Sequence, residues 1–363
     1  MKDFAVMKDL PALLRAGTPL LDLRSPGEVA VSALPNSTNI ALLDDAQRAQ
    51  VGTCYKQQGE EAALALGDQL ISGEIKAQRM AAWDLWAKEN PQGVLYCWRG
   101  GLRSRLTQAA LSSLGHSVPR VEGGYKALRH VLLQQMEETP TANLAVVSGA
   151  TGSGKTDVLL KLSHAIDLEG LARHKGSVFG QGIAEQPAQT SFENAVSLKL
   201  LQREVDVRYW LEDEGRLIGK CCVPATLQQA MQHYPRVEIV ATEDERIDRL
   251  LRDYVVDRVS DYQACYGEDY VTPYRERVLA QFARIKKRLG GLRHSELQTQ
   301  IEAAFDAYEL SRDPSEHRAW IATILTEYYD PMYNWQQSKR EGEVEFRGDF
   351  NAVVEWCESA SLR

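Results

Sequence analysis

Cys97 is followed by the turn Trp98-Arg99-Gly100-Gly101-Leu102-Arg103-Ser104, rich in glycine and arginine. A thiol becomes a nucleophile when nearby positive charge or converging backbone N–H groups favour its thiolate. Gly100 and Gly101 allow amides to turn inward. Arg99 and Arg103 supply cations, and Arg103 begins a helix whose N-terminal dipole faces the loop. Cys97 is therefore the expected nucleophile. Cys54, Cys221, Cys222, Cys265 and Cys357 lack such surroundings and read as inert thiols.

A second loop does different chemistry. Gly149-Ala150-Thr151-Gly152-Ser153-Gly154-Lys155-Thr156 fits the phosphate-binding pattern G-x-x-x-x-G-K-[ST]. Its glycines let successive N–H groups converge on phosphate oxygens at the positive end of a helix. Lys155 neutralises outer phosphate charge, and Thr156 offers a hydroxyl to Mg²⁺. The motif fixes that phosphate is bound and says little about what carries it; alone it suggests a nucleotide kinase or NTPase. Glu212-Asp213-Glu214 is either the acid that accompanies such a loop or a plain acidic turn. Arg246, Arg249 and Arg252 recur at helical spacing and either reach a phosphate or, as such rows more often do, form a solvated face.

Both loops need a rigid frame. Residues 19–24 and 93–96 read as short buried strands, the second ending at Cys97, and 118–121 as another. Residues 43–89 and 108–114 have helical character. The polar, proline-marked segment near 137–143 reads as a boundary, giving domains 1–137 and 138–363. Beyond it, 144–148, 207–211 and 237–241 read as strands, 157–166 and 243–258 as helices, and 276–329 as mostly helical. Strands alternating with helices imply parallel sheets, whose sites lie at the carboxyl ends of strands.

At 363 residues the chain has room for two cores, with ordinary hydrophobic (44%) and charged (25%) content. No apolar run approaches the ~20 residues that span a bilayer. The start, Met1-Lys2-Asp3-Phe4, has no apolar signal core, and the six cysteines form no C-x-x-C pair. A cytoplasmic protein with reduced thiols, unattached to membrane, is the expectation. A net charge of −8 argues against indiscriminate nucleic-acid binding but allows a local basic face, for which the stretch from Arg284 to His294 is the candidate. The plainer reading of that stretch is a solvated helix end.

The cysteine loop also satisfies C-x5-R followed by serine, as in cysteine phosphatases, but Tyr96 stands where those enzymes generally carry histidine. More of the chain resembles rhodaneses: Asp22-Leu23-Arg24-Ser25-Pro26-Gly27-Glu28, then Ala33-Leu34-Pro35-Asn36-Ser37-Thr38-Asn39-Ile40, then the loop, then Glu122-Gly123-Gly124-Tyr125-Lys126-Ala127. The loop is longer than in many sulfurtransferases.

Further blocks, Arg48-Ala49-Gln50-Val51-Gly52-Thr53-Cys54-Tyr55-Lys56-Gln57-Gln58-Gly59, Asp167-Leu168-Glu169-Gly170-Leu171-Ala172-Arg173-His174-Lys175-Gly176-Ser177, Trp210-Leu211-Glu212-Asp213-Glu214-Gly215-Arg216-Leu217-Ile218-Gly219 and Tyr328-Tyr329-Asp330-Pro331-Met332-Tyr333, make the whole chain resemble the tRNA 2-selenouridine synthase family. That resemblance implies an α/β fold: an N-terminal rhodanese-like parallel-sheet domain, then a P-loop NTPase-like α/β domain with a largely helical C-terminal part. It implies a transferase acting on the wobble 2-thiouridine of certain tRNAs. The sulfur is alkylated by geranyl diphosphate, and the S-geranyl group is then displaced by selenium from selenophosphate. Cys97 would carry selenium, with Arg99 and Arg103 orienting selenophosphate or holding the thiolate. Arg173, His174 and Lys175 would touch tRNA or diphosphate, against the simpler reading of a flexible basic loop. Tyr328, Tyr329, Tyr333 and Trp335 would offer stacking faces to an anticodon base, although core packing is their ordinary role. An enzyme supplying selenophosphate would be a partner. The rival reading is a persulfide sulfurtransferase fused to a small-molecule P-loop kinase.

Overall fold

Short, continuous apolar runs form two all-parallel sheets, since strands covered by helices on both faces have no polar face to alternate. The computed structural model describes residues 4–361. The first sheet holds β1 (Val6–Met7), β2 (Leu20–Asp22), β3 (Ser37–Asn39), β4 (Val94–Tyr96) and β5 (Arg120–Val121) in the order β1-β5-β4-β2-β3. β2 and β4 are buried along their length. Trp83 and Trp86 of the helix Gly73–Glu89 pack with Leu21, Leu23 and Leu95 in one core cluster. Leu128 and Leu132 of the helix Gly124–Glu138 join Leu20 and Val94 in another. The helical stretch read over 43–89 is two helices, Asp45–Leu70 and Gly73–Glu89, and Gly59 (φ 88°) kinks the first.

The second sheet holds β6 (Leu144–Gly149), β7 (Ala165–Ile166), β8 (Tyr209–Glu212), β11 (Arg236–Ile239) and β12 (Val344–Gly348) in the order β12-β11-β6-β8-β7. β9 (Leu217–Ile218) and β10 (Cys221–Cys222) form a separate hairpin. β6 is buried throughout and central, and the strand order reverses beside it, which is where open parallel sheets place their ligands. β4 is likewise central, so each chemical loop leaves the middle strand of its own sheet.

Two readings differ from the structure, and one strand was not foreseen. The helix after the phosphate loop is Lys155–Leu159, not 157–166; Ala165 and Ile166 instead pair with Trp210 and Leu211, where ladder bonding outweighs helical propensity. β12 was not foreseen: its charged residues face solvent, as suits an edge strand, and Arg347 bonds Glu238 across the ladder at 2.8 Å. Nor do the contacts follow one cut near residue 137. The compact units are Met1–Glu138 with Ala188–Gln202, and Thr139–Pro187 with Arg203–Arg363. The helix Gln189–Leu201 places Leu198 and Leu201 in the core with Leu10, Leu13 and Leu14. Asn194 donates to the Ala33 carbonyl (2.8 Å) and accepts from Arg129 (2.8 Å).

The helical C-terminal part is as expected, with Tyr274, Phe305 and Trp320 in its core and π-helical turns at Arg252–Val256 and Leu325–Tyr329. Among the described residues no helix is long and apolar enough to cross a membrane.

Candidate functional site

All four rhodanese-like segments meet at Cys97. Tyr96 donates through its hydroxyl to Asp22 (2.6 Å), which also receives a bidentate bond from Arg24. Arg24 is fully buried; burial opposes its charge, yet Asp22 raises its pKa, and its guanidinium lies 4.0 Å from the Tyr125 ring centroid. Asn39 donates to the Asp22 and Arg24 carbonyls at 2.9 and 2.8 Å. A buried ion pair lacking a partner would be costly, so this network fixes the strand ends beneath the loop. On the other side, Tyr125 N–H donates to the Cys97 carbonyl (2.8 Å) and Lys126 N–H to that of Trp98 (3.2 Å). A Cβ on Gly124 (φ 61°) would lie 2.3 Å from both the Cys97 carbonyl oxygen and the Gly100 nitrogen, so only glycine lets the two turns meet.

Cys97 itself is 3% exposed, and Arg99 is exposed. Arg103 is committed to Glu28, with contacts of 2.6 and 3.1 Å. Burial works against the Glu28 charge, but Arg103 prevails, with Arg48 adding to it, and holds the carboxyl at about 2. Arg103 therefore ties the start of the helix Leu102–Ser113 to the segment before β3, leaving Arg99 as the loop's available cation. Burial raises the Cys221 thiol, and pushes Cys357 up to about 12, as inert filler requires.

In the second unit, Gly152 (φ 80°) and Gly154 (φ 96°) shape the phosphate loop. Lys155 Nζ donates to the Gly149 carbonyl at 3.0 Å. Ser153 is buried, while Ala150 and Thr151 form the outer turn and Thr151 accepts from Arg246 Nε at 2.9 Å. Thr156 Oγ1 donates to Glu169 Oε2 (2.9 Å), and a Cβ on Gly176 would stand 2.5 Å from carboxylate oxygens of both Glu169 and Glu214. Burial and the Glu169 charge raise Glu214 well above the usual carboxylate range, with Lys155 opposing. The acidic turn thus divides its work. Glu212 accepts from Leu168 N–H (2.9 Å), Asp213 pairs with Arg340, and Glu214 reaches the loop.

Sequence reasoning missed Glu169, and its preferred reading of the arginine row as solvated holds for Arg252 but not for Arg246. Arg246 is 9% exposed and pairs with Asp330, Arg252 bonds Asp157 at 2.8 Å, and Arg249 lines the phosphate cleft. A Cβ on Gly154 would lie 3.1 Å from Arg249 Nε. The i, i+3 spacing was visible; that this face packs on the loop was not. The trio at 173–175 is split as well. Lys175 pairs with Asp253 (2.9 Å) beside the loop, His174 is buried along the cleft, and Arg173 is exposed on a neighbouring hollow.

The loop opens into a cleft of about 790 Å³ that combines Lys155, His174 and Glu214 with Tyr329, Met332 and Tyr333. Ligand sites are commonly ~300–1,000 Å³. Thr156, Glu169 and Glu214 form a hard oxygen donor set, and Mg²⁺ typically takes one or two carboxylates plus phosphate and water.

His174 gives a pH test. Burial, aided by Arg258 and Arg284, lowers it to about 4. Between the ordinary value near 6.5 and 4 the unfolded chain binds the extra proton, so this contribution is present above 6.5 and lost as pH falls through 4. Glu212 and Glu214, raised by burial, titrate with the opposite sign. The difference between variants therefore carries the information. Wild type should lose more urea resistance from pH 7 to pH 5 than His174→Asn does; equal losses would remove His174 from the account.

Comparison with known proteins follows the same architecture. Residues 6–130 match the rhodanese-like domain model, and residues 142–363 match the model described as the tRNA 2-selenouridine synthase AAA domain. The chain belongs to the tRNA 2-selenouridine synthase family. The synthase of that name from Pseudomonas putida (strain F1) is 44% identical over 98% of this chain and 97% of its own. That from Bordetella bronchiseptica (strain RB50) is 43% identical over 96% of each. The family's rhodanese-like match ends before residue 188, so the helix Gln189–Leu201 is supplied to the first unit from within the AAA-domain match.

Proposed function

We propose that this chain converts the wobble 2-thiouridine of certain tRNAs to 2-selenouridine in two steps, one at each loop. In the first, the thiouridine sulfur attacks the allylic carbon of geranyl diphosphate. A carbon–sulfur bond forms, the carbon–oxygen bond breaks, and diphosphate departs. Lys155, Arg249 and the loop amides stabilise the departing charge, which is worth most in a site from which water is excluded. Thr156 and Glu169 would hold Mg²⁺, with Glu214 beside them, and the ion would supply further charge neutralisation. In the second step selenium derived from selenophosphate and carried by Cys97 adds to carbon 2. The carbon–selenium bond forms as the carbon–sulfur bond breaks and geranylthiolate leaves. A thiol then cleaves the selenium–sulfur bond to Cys97, returning the two electrons that the disulfide of the same thiol couple takes up when selenium is seated on the Cys97 thiolate and phosphate is released. A soft atom travels naturally on a thiolate. Arg99, on the exposed side of the loop, orients selenophosphate, so an enzyme making that compound is the natural upstream partner.

The observation that carries this reading is the cleft in which a phosphate loop with Lys155 opens onto Tyr329, Met332 and Tyr333. Lys155 with the phosphate loop, and the side chains of Tyr329, Met332 and Tyr333 in the same cleft, suit a diphosphate with a hydrocarbon tail. The test is mass spectrometry of tRNA nucleosides from cells with the gene deleted and restored. Loss of 2-selenouridine on deletion and its return on complementation are expected; unchanged 2-selenouridine would sink the proposal.

A further inference from the structure

A second groove, of about 500 Å³, adjoins the cleft of the second unit and shares Arg288, Tyr328, Met332 and Gln336 with it. Leu289, Pro331 and Trp335 add apolar lining, and the paired Arg293 and Glu327 also line it. We propose that this groove is the docking site for the anticodon arm of the tRNA, with Trp335 stacking on an unpaired base and the basic segment 284–288 holding the phosphates. The proposal rests on tRNA being the substrate, and locates where it binds.

The charge pattern points to a polyanion. The run Arg284-Ile285-Lys286-Lys287-Arg288 contains no acid, in a chain whose net charge is −8. Lys286, Lys287 and Arg288 are exposed. Among the described residues none of Arg284, Lys286, Lys287 and Arg288 takes part in an ion pair, whereas nearby Arg293 is held by Glu296 and Glu327, and Arg318 by Asp244 and Asp248. Four cations without an ion-pair partner stand together on one short segment, the turn at 284–285 and the start of the helix Lys286–Leu289. A row of phosphates would pair with them.

The aromatic pattern points to a nucleobase. Trp335 is 61% exposed, and Lys339 Nζ lies 4.4 Å from its ring centroid. Single-stranded nucleic acid is gripped by this pairing of flat exposed rings with cations that track the backbone. Arg288 Nη1 donates to the Tyr328 hydroxyl at 3.2 Å, setting the guanidinium on the boundary between groove and cleft. Tyr328 and Tyr329 belong to the π-helical turn Leu325–Tyr329, a local irregularity frequent at functional sites, and both line the cleft. A loop laid along the groove would therefore run toward Lys155, where the sulfur must meet the diphosphate. A hydrocarbon tail has no use for the four cations or for an indole left in water.

The test uses the full chain and a fluorescent tRNA carrying wobble 2-thiouridine, titrated at several salt concentrations. Lys286→Glu with Lys287→Glu should weaken binding by about tenfold or more and reduce the slope of log affinity against log salt by roughly 2. Trp335→Ala should weaken binding by about 5- to 150-fold with little change in slope, and Trp335→Phe, which keeps a flat ring, should recover most of the loss. Wild-type affinity and slope in both variants would overturn the docking site while leaving the tRNA reading intact. Unchanged tRNA affinity with a raised KM for geranyl diphosphate would also overturn it, assigning the groove to the hydrocarbon tail. A wild-type chain that binds no tRNA would sink both readings. Should Trp335→Ala lower thermal stability, the lysine pair decides, since both residues are exposed.

Discussion

Cys97→Ser should abolish selenation and leave S-geranylated tRNA to accumulate. A serine hydroxyl is nearly the size of the thiol, so the Tyr125 and Lys126 bonds to the loop carbonyls should survive. The oxygen, however, is neither soft nor ionised near neutrality, and it forms no stable bond to selenium. Losing the only carrier atom removes a covalent route rather than one stabilising contact, so the expected fall in 2-selenouridine is about 10³-fold or more. Nucleoside mass spectrometry on tRNA treated with wild type or variant, both substrates present, reads both products at once. Selenation persisting above about a tenth of wild type would end the carrier assignment. A joint loss of geranylated product in a folded variant would mean that the two chemistries are not separable.

Lys155→Ala should give the complementary pattern. Lys155 reaches the loop's own carbonyl and stands beside Glu214 in the cleft, where low polarity amplifies each charge. Removing one preorganised charge that stabilises a leaving group typically costs ~10²–10³ in rate. Geranylation should fall by that amount, while selenium loading of Cys97, measured by intact-protein mass spectrometry, should remain at the wild-type level. Equal loss of both would count against a division of labour between the loops. So would undiminished geranylation, which would place diphosphate departure elsewhere.

Much of this site was legible because its chemistry depends on residue type at fixed spacing. Cys97 with its glycines, and Gly149 through Thr156, declare themselves wherever they sit, and the strands feeding them are short apolar runs. What stayed hidden depends on three-dimensional neighbours. Nothing in the sequence around Arg103 says that Glu28 neutralises it, so two loop cations were expected where Arg99 alone is available. Arg246, Arg249 and Arg252 looked like a solvated row because helical spacing reveals a shared face and not what covers it. Glu169 carries no motif of its own and acquires a role through Thr156. Ala165 and Ile166 read as helix because their ladder partner, β8, lies far along the chain. The acidic turn was located correctly, yet which of its three members faces the loop follows from strand register, with Val147 opposite Glu212.

The helix Gln189–Leu201 has a consequence for how the molecule is born. Domains generally complete themselves in order as the chain leaves the ribosome. Here the cysteine unit still lacks Leu198 and Leu201 after all five of its strands have been synthesised. By the time that helix emerges, β6, the phosphate loop and β7 are already out, waiting for β8. The first unit cannot finish until some sixty further residues are made (Glu138 to Leu201 by chain position), and a cut between Leu144 and Leu198 leaves no fragment that owns a whole unit.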